Sequence, residues 1–250
     1  MVQLVEDGGP AGTGGGPDGA PASALEELLA RRHSCRAFLP DPVAPETFAA
    51  IFGLAQRTAS WCNTQPWQVH LVTGEAVPEF AQHLETAVLT APGSSDLPMP
   101  EGYAGVYADR RRASGFALYE SLGIAREDKE ARGLQMFRNF SFFGAPHVAV
   151  VTTDRQQGTY GAIDCGGYVA NLLNAAAAHG VASCPQAAIA MYSGAVHEFL
   201  ALPEDRLVVC AVALGHADPE HPVNAFRTDR APVADVLTVV DRRPTAEETR

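Results

Sequence analysis

The sequence predicts an α+β protein in which helices dominate. Helical apolar spacing recurs in pairs of segments between strand-like runs, and those runs lie far apart in the chain. No internal repeat is visible, and the pairing of helices breaks any regular βαβ alternation.

The elements follow in order. "SALEELLARR" sets Leu25, Leu28 and Leu29 at helical spacing, with Ser23 as N-cap. "APETFAAIFGLAQRT" is a second helix, with Pro45 in its first turn and Phe48, Ile51, Phe52 and Ala55 on one face. "WQVHLVT" alternates as a strand does, and "PEFAQHLETAVL" returns to helix. Residues 92–105, "PGSSDLPMPEGYAG", sustain neither period and form a loop long enough to help rim a pocket. Helices are expected near 107–122 and 126–139. In the first of these, Arg110, Arg111 and Arg112 fall on the solvated face, with Phe116 and Tyr119 inward; the other reading has this face presenting an arginine to an acidic substrate. "NFSFFGAP" reads as packing. "HVAVVTT" and "VVCAVALG" are buried-type strands, with the apolar helix "AIDCGGYVANLLNAAAAHG" between them, capped by Gly180. A last short strand, "VLTVV", closes the order.

Residues 1–22 are rich in Gly, Pro and Ala and read as a disordered tail, residues 23–240 as a single domain, and residues 241–250 as a polar tail. The tail spells GxGxxG at Gly14, Gly16 and Gly19, but Pro17 interrupts it and only "VQLV" lies upstream, so no dinucleotide site is assigned there.

The 250 residues are 46% apolar, enough for a sizeable core, and no run is long enough to span a membrane. With 29 acidic against 18 basic residues the net charge is −11, which excludes sequence-blind nucleic-acid binding. An anion must then be held by a few localised arginines. Cys35, Cys62, Cys165, Cys184 and Cys210 form an odd set without CxxC or paired His spacing, so they read as reduced thiols of a cytoplasmic protein rather than disulfides or a metal site. The N-terminus carries neither a basic nor an apolar signal region.

Three islands look too specific for packing. "RRHSCRAF" puts Arg31, Arg32, His33, Ser34 and Arg36 within six positions, where guanidinium forks suit phosphate oxygens; a solvated basic helix end is the plainer reading. "ASWCNTQPW" holds both tryptophans, and Asn63 and Gln65 each donate and accept, as reading a heterocycle or sugar chain requires. A helix-to-strand turn stapled by Trp67 explains Pro66 and Trp67 but not Trp61, Cys62 or Asn63. "VNAFRTDRAP" supplies Arg227 and Arg230, a pair able to close on the same anion or to pair with Asp229.

Taken in order with "GVASCPQAA", these islands resemble the FMN-dependent nitroreductases over roughly residues 23–240. The resemblance implies a homodimer whose mixed, mainly antiparallel central sheet is covered by helices, with FMN at the subunit interface and NAD(P)H as transient reductant. Position by position it assigns Arg32, His33, Ser34 and Arg36 to the FMN phosphate, ribityl chain and pyrimidine edge, and Arg227 and Arg230 to the phosphate. Ser60, Trp61 and Asn63 fall where the partner subunit touches the flavin, and Pro185, Gln186 and Ala187 where backbone groups face N5. Trp61 stands where many relatives keep a small residue, and Ala187 where some carry glutamate. The implied activity passes hydride from NAD(P)H through flavin N5 to a flat, electron-poor acceptor such as a nitroaromatic or quinone, without a catalytic side chain. Dehydrogenase or dehalogenase chemistry on the same fold is an alternative, as is flavin binding without turnover. From another class comes a thiol hydrolase or transferase using Cys35 or Cys62.

Overall fold

The structure, a computed structural model, describes residues 19–242. In chain order these form α1 (Gly19–Arg31), α2 (Pro45–Ala55), β1 (Gln68–Thr73), α3 (Ala76–Thr90), α4 (Gly105–Ser121), α5 (Lys129–Phe137) and β2 (His147–Asp154). There follow α6 (Gly158–Ala178), β3 (Ala182–Gln186), α7 (Ala187–Ala190), α8 (Ser193–Leu200) and β4 (Arg206–Gly215).

The four strands make one sheet in the order β1-β2-β4-β3, and all three pairings are antiparallel. Beside β3, Ser34 makes an isolated parallel bridge with Ser183. β2 is central, so its seven residues from His147 to Thr153 are all buried. Successive side chains of a strand point to opposite faces, which splits the core in two. Val148 and Val150 pack with Phe80, Leu84, Phe142 and Ile189 under α3, α7 and α8. Ala149 and Val151 pack with Phe48, Ile51, Trp67 and Leu172 under α2 and α6. Burying each large apolar side chain contributes about 1.5–3 kcal/mol, so both sheet faces are strongly fixed.

Several expectations need correction. The tail assigned to residues 1–22 lies outside the described residues as far as residue 18, as do Gly14 and Gly16, but residues 19–22 belong to α1. Pro21 sits in the first turn, where its missing N–H costs no intrahelical bond. The strand β3 was not expected; it lies at the sheet edge, where Pro185 is tolerated. Residues 236–240 are not a strand and pair with none of the four sheet strands, and Val236, Leu237, Val239 and Val240 are exposed. Finally, α4 has no buried residue: Phe116 and Tyr119 are half-buried and roofed by the Arg126 and Arg132 guanidiniums at 4.3 and 5.9 Å.

The long loop before α4 is pinned at Asp96. Its Oδ2 accepts from His197 Nε2 at 2.9 Å and from the Val208 N–H at 2.8 Å, and its own N–H donates to Ser193 Oγ at 3.2 Å. Gly93 packs so close that a Cβ there would meet the Met191 carbonyl at 2.8 Å.

Candidate active site

The first island leaves α1 and runs along the free edge of β3. The Cys35 N–H donates to the Ser183 carbonyl at 2.9 Å, which gives the segment strand-like alternation. Cys35 and Ala37 therefore turn into the core, while Ser34 and Arg36 are only half-buried. Asn224 clasps this segment to the third island. Its Oδ1 accepts the Arg36 N–H at 2.9 Å, and its Nδ2 donates to the Ala37 and Asp218 carbonyls, both at 2.8 Å.

The clasp closes a cleft of about 490 Å³ lined by Arg32, His33, Ser34, Arg36, Arg227 and Arg230 together with Phe226, Thr228, Leu29 and Ala30. Four guanidiniums and no carboxylate line it, in a chain of net charge −11. Arg227 Nη1 donates to the Asn224 and Phe226 carbonyls, and Arg230 Nη1 to Thr228 and the Asp229 carbonyl. One nitrogen of each is thus spent on the backbone, and the remaining N–H groups stay available to a ligand.

His33 Nδ1 sits 3.1 Å from the Arg31 carbonyl, which can only accept, so Nδ1 carries the proton in the neutral ring. Nε2 is then a lone-pair acceptor, buried and without a partner. Burial lowers the His33 pKa below its ordinary value of 6.5, and the charges of Arg227, Arg32 and Arg36 add to that, against the opposing Arg31 carbonyl bond. An acceptor held neutral among arginines suits a donor hydroxyl on a bound anion.

Arg36 also lines a smaller pocket of about 170 Å³ with Tyr119, Asn139, Phe143 and Pro185. Along β3 and into α7, Pro185 and Ala187 are exposed, whereas Gln186 turns inward. The Gln186 Nε2 donates to the Asn139 carbonyl at 2.8 Å, and its Oε1 is buried without a partner.

The second island lies elsewhere. Trp61–Asn63 form a 3₁₀ turn against the start of α6: the Trp61 N–H donates to the Asp164 carboxylate at 3.1 Å, and the indole sits 4.8 Å from the Tyr160 ring. Cys62, Asn63 and Gln65 have φ of 48°, 57° and 48°, left-handed values that side chains rarely adopt. Side chains hold this turn. Ser60 Oγ accepts the Gln65 N–H, Gln65 bonds Gln56 and the Asn63 carbonyl, and Trp67 Nε1 donates to Gln56. The Gln65 amide is therefore largely committed to the turn, which corrects its reading as a ligand reader. Ser60, Trp61 and Asn63 do not line the arginine clefts of their own chain.

Burial raises four of the five thiols: Cys35 upward, Cys165 and Cys184 to about 11, and Cys210 to about 12. Cys35 turns into the core with its Sγ 3.1 Å from the Ala37 carbonyl, the opposite of an activated nucleophile.

Sequence reasoning missed Asn224, Tyr119 and Asn139. Asn224 lies within the third island, but no local pattern marks an amide whose partners are 187 and 188 residues away.

The protein is thus an antiparallel sheet flanked by helices, with a cation-lined cleft beside its edge segment whose charge suits an anionic ligand. The chain belongs to the nitroreductase family, whose model matches residues 29–216. It is 38% identical over 221 residues to nitroreductase NfnB of Mycolicibacterium smegmatis, covering 88% of this chain and 94% of that one. It is 32% identical over 215 residues to a 4-nitrobenzoate reductase of a Nocardioides species, covering 84% and 87%. The crystal structure of the FMN-dependent nitroreductase NfnB from Mycobacterium smegmatis in complex with NADPH superposes with a TM-score of 0.84 at 37% identity, covering 88% of this chain and 99% of that one.

Proposed function

We propose that this chain is an FMN-dependent NAD(P)H oxidoreductase that reduces flat, electron-poor molecules such as nitroaromatics or quinones. The observation that carries the reading is the cleft of four guanidiniums without a carboxylate, with the unpartnered His33 Nε2 inside it. FMN supplies the N5 position that accepts and then gives up a hydride.

The chain's own residues bind and orient. Arg32, Arg227 and Arg230 take the phosphate through charge-assisted bonds. His33 Nε2 accepts from a ribityl hydroxyl, and Ser34 adds a second polar contact. Arg36, shared by the cleft and the smaller pocket, sets a fixed positive charge at the pyrimidine edge and favours the reduced state. Backbone groups of Pro185, Gln186 and Ala187 face N5. No catalytic side chain is assigned: FMN would carry the hydride, and the proton that each two-electron reduction also takes up would come from solvent.

The site is completed by a second copy. In this reading Ser60, Trp61 and Asn63 of one chain reach the flavin of the other, which gives purpose to an indole that is 59% exposed and to the exposed apolar residues 236–240. A thiol enzyme using Cys35 is disfavoured by the burial that raises that thiol.

The test is an absorption spectrum of the purified protein with and without added FMN, then anaerobic NADH or NADPH and reoxidation by 4-nitrobenzoate or a quinone. Flavin absorbance that bleaches and returns is expected, in a particle of dimer mass. A monomer that ignores FMN overturns the proposal.

A further inference from the structure

Beside α4 lies a second cleft, of about 550 Å³, that the flavin reading leaves without a purpose. Tyr103, Phe116, Tyr119, Arg111 and Arg132 line it, and no carboxylate does. The Arg111 guanidinium sits 5.2 Å from the Tyr103 ring centre, and that of Arg132 sits 5.9 Å from the Tyr119 ring centre. A ring face attracts a guanidinium by only about 0.5–1 kcal/mol at such sites and leaves its charge in place. Arg110 is 3.9 Å from Asp235, Arg112, which also lines the cleft, is 3.4 Å from Asp109, and Arg132 spends only its Nε, on the Asp128 carbonyl at 3.3 Å. Core packing does not explain these residues, because α4 buries none of its side chains.

The cleft adjoins the proposed flavin site. Tyr119 lines both this cleft and the pocket of Arg36 and Pro185, and Arg36 in turn lines the four-arginine cleft. Tyrosine faces suit a planar ring, and guanidinium forks suit a carboxylate or phosphate. We infer that the Arg111–Arg132 cleft is a specificity site that seats an oxyanion joined to a planar ring directly or through a sugar. It rests on the flavin reading for its purpose, since it selects anionic over neutral partners at that site. Two sources share this chemistry: the carboxylate of an aromatic oxidant, and the 2′-phosphate of the reductant.

Calorimetric binding to the wild-type protein separates them, with 4-nitrobenzoate set against 4-nitrobenzamide and adenosine 2′,5′-bisphosphate against adenosine 5′-monophosphate. In at least one pair the member with the additional oxyanion should bind about tenfold tighter than its counterpart, roughly the contribution of one charge-assisted bond. The Arg111→Gln and Arg132→Gln variants should each weaken that preference, and the double variant should reduce it to within about threefold. The pair that responds identifies the source, and the corresponding KM ratio, 4-nitrobenzoate to 4-nitrobenzamide or NADPH to NADH, should shift with it. Equal binding within both pairs, or a preference intact in the double variant, overturns the site. Because the binding assay needs no turnover, a protein that prefers the anion yet takes up no FMN would instead overturn the flavin reading alone.

Discussion

The side-chain oxygen of Asn224 accepts the backbone N–H of Arg36 at 2.9 Å, and the same amide donates to the carbonyls of Ala37 and Asp218. One buried side chain thereby fixes the arginine-bearing edge segment to the segment that carries Arg227 and Arg230. Asn224→Ala leaves the Arg36 N–H and the Asp218 carbonyl without this partner, while the Ala37 carbonyl keeps the Asp218 N–H at 3.0 Å; each group so orphaned costs about 1–3 kcal/mol. The variant should lose about 2–4 kcal/mol of stability and bind FMN more weakly. Denaturant unfolding and flavin titration check both, and unchanged values in the two assays would remove the clasp from the site.

The arginines were legible because they stand out in an acidic chain; the clasp was not, since hydrogen bonds between residues nearly two hundred positions apart leave no local pattern. The same division runs through the fold. The central strands β2 and β4 show as continuous apolar runs because both sheet faces are covered. β3 is five residues long and contains Pro185, which reads as a breaker unless its place at the edge is known. α7, four residues, is too short to show a period. Residues 236–240 have strand propensity without a strand's neighbour, so β-branched composition misled.

Arg32 makes no side-chain hydrogen bond among the described residues and faces the cleft, so its whole fork is available to a phosphate. Arg32→Ala should weaken FMN binding by about 1.5–3 kcal/mol, the range for a bond to a charged group. Arg36→Ala should mainly lower the reduction potential of bound flavin, because in the proposed site it removes the cation beside the ring. Wild-type FMN affinity in Arg32→Ala would falsify the phosphate role.

His147 Nε2 accepts the Val43 N–H at 2.9 Å, a bond that only the neutral ring can make. Burial lowers the His147 pKa from 6.5, with a smaller push from His216. The unfolded chain therefore binds this proton at a higher pH than the folded one. Its contribution to stability is complete above 6.5 and is lost as pH falls through the lowered folded value. His70 and His33, also lowered chiefly by burial, act in the same direction. Melting temperature should fall between about pH 7.5 and about pH 5, and His147→Gln should flatten that slope by keeping an acceptor for Val43 that does not titrate. An equally steep slope in the variant would place the pH response elsewhere.

The turn that carries Trp61 is held by side chains other than the indole: Ser60, Gln56, Gln65 and Trp67 make its bonds, and Asp164 takes the Trp61 backbone N–H. Removing the indole therefore costs the turn little beyond its contact with Tyr160. In the proposed dimer, a Trp61 that is 59% exposed in one chain is free to wall the substrate space over the partner's flavin. Trp61→Gly should leave FMN bound and the dimer intact while lowering KM for bulkier nitroaromatics or quinones. Reductant and oxidant share one open flavin face in this arrangement, so double-reciprocal plots should be parallel. An unchanged substrate ranking would take Trp61 out of the pocket. Intersecting lines would show that both molecules bind together, and the shared face would have to be abandoned.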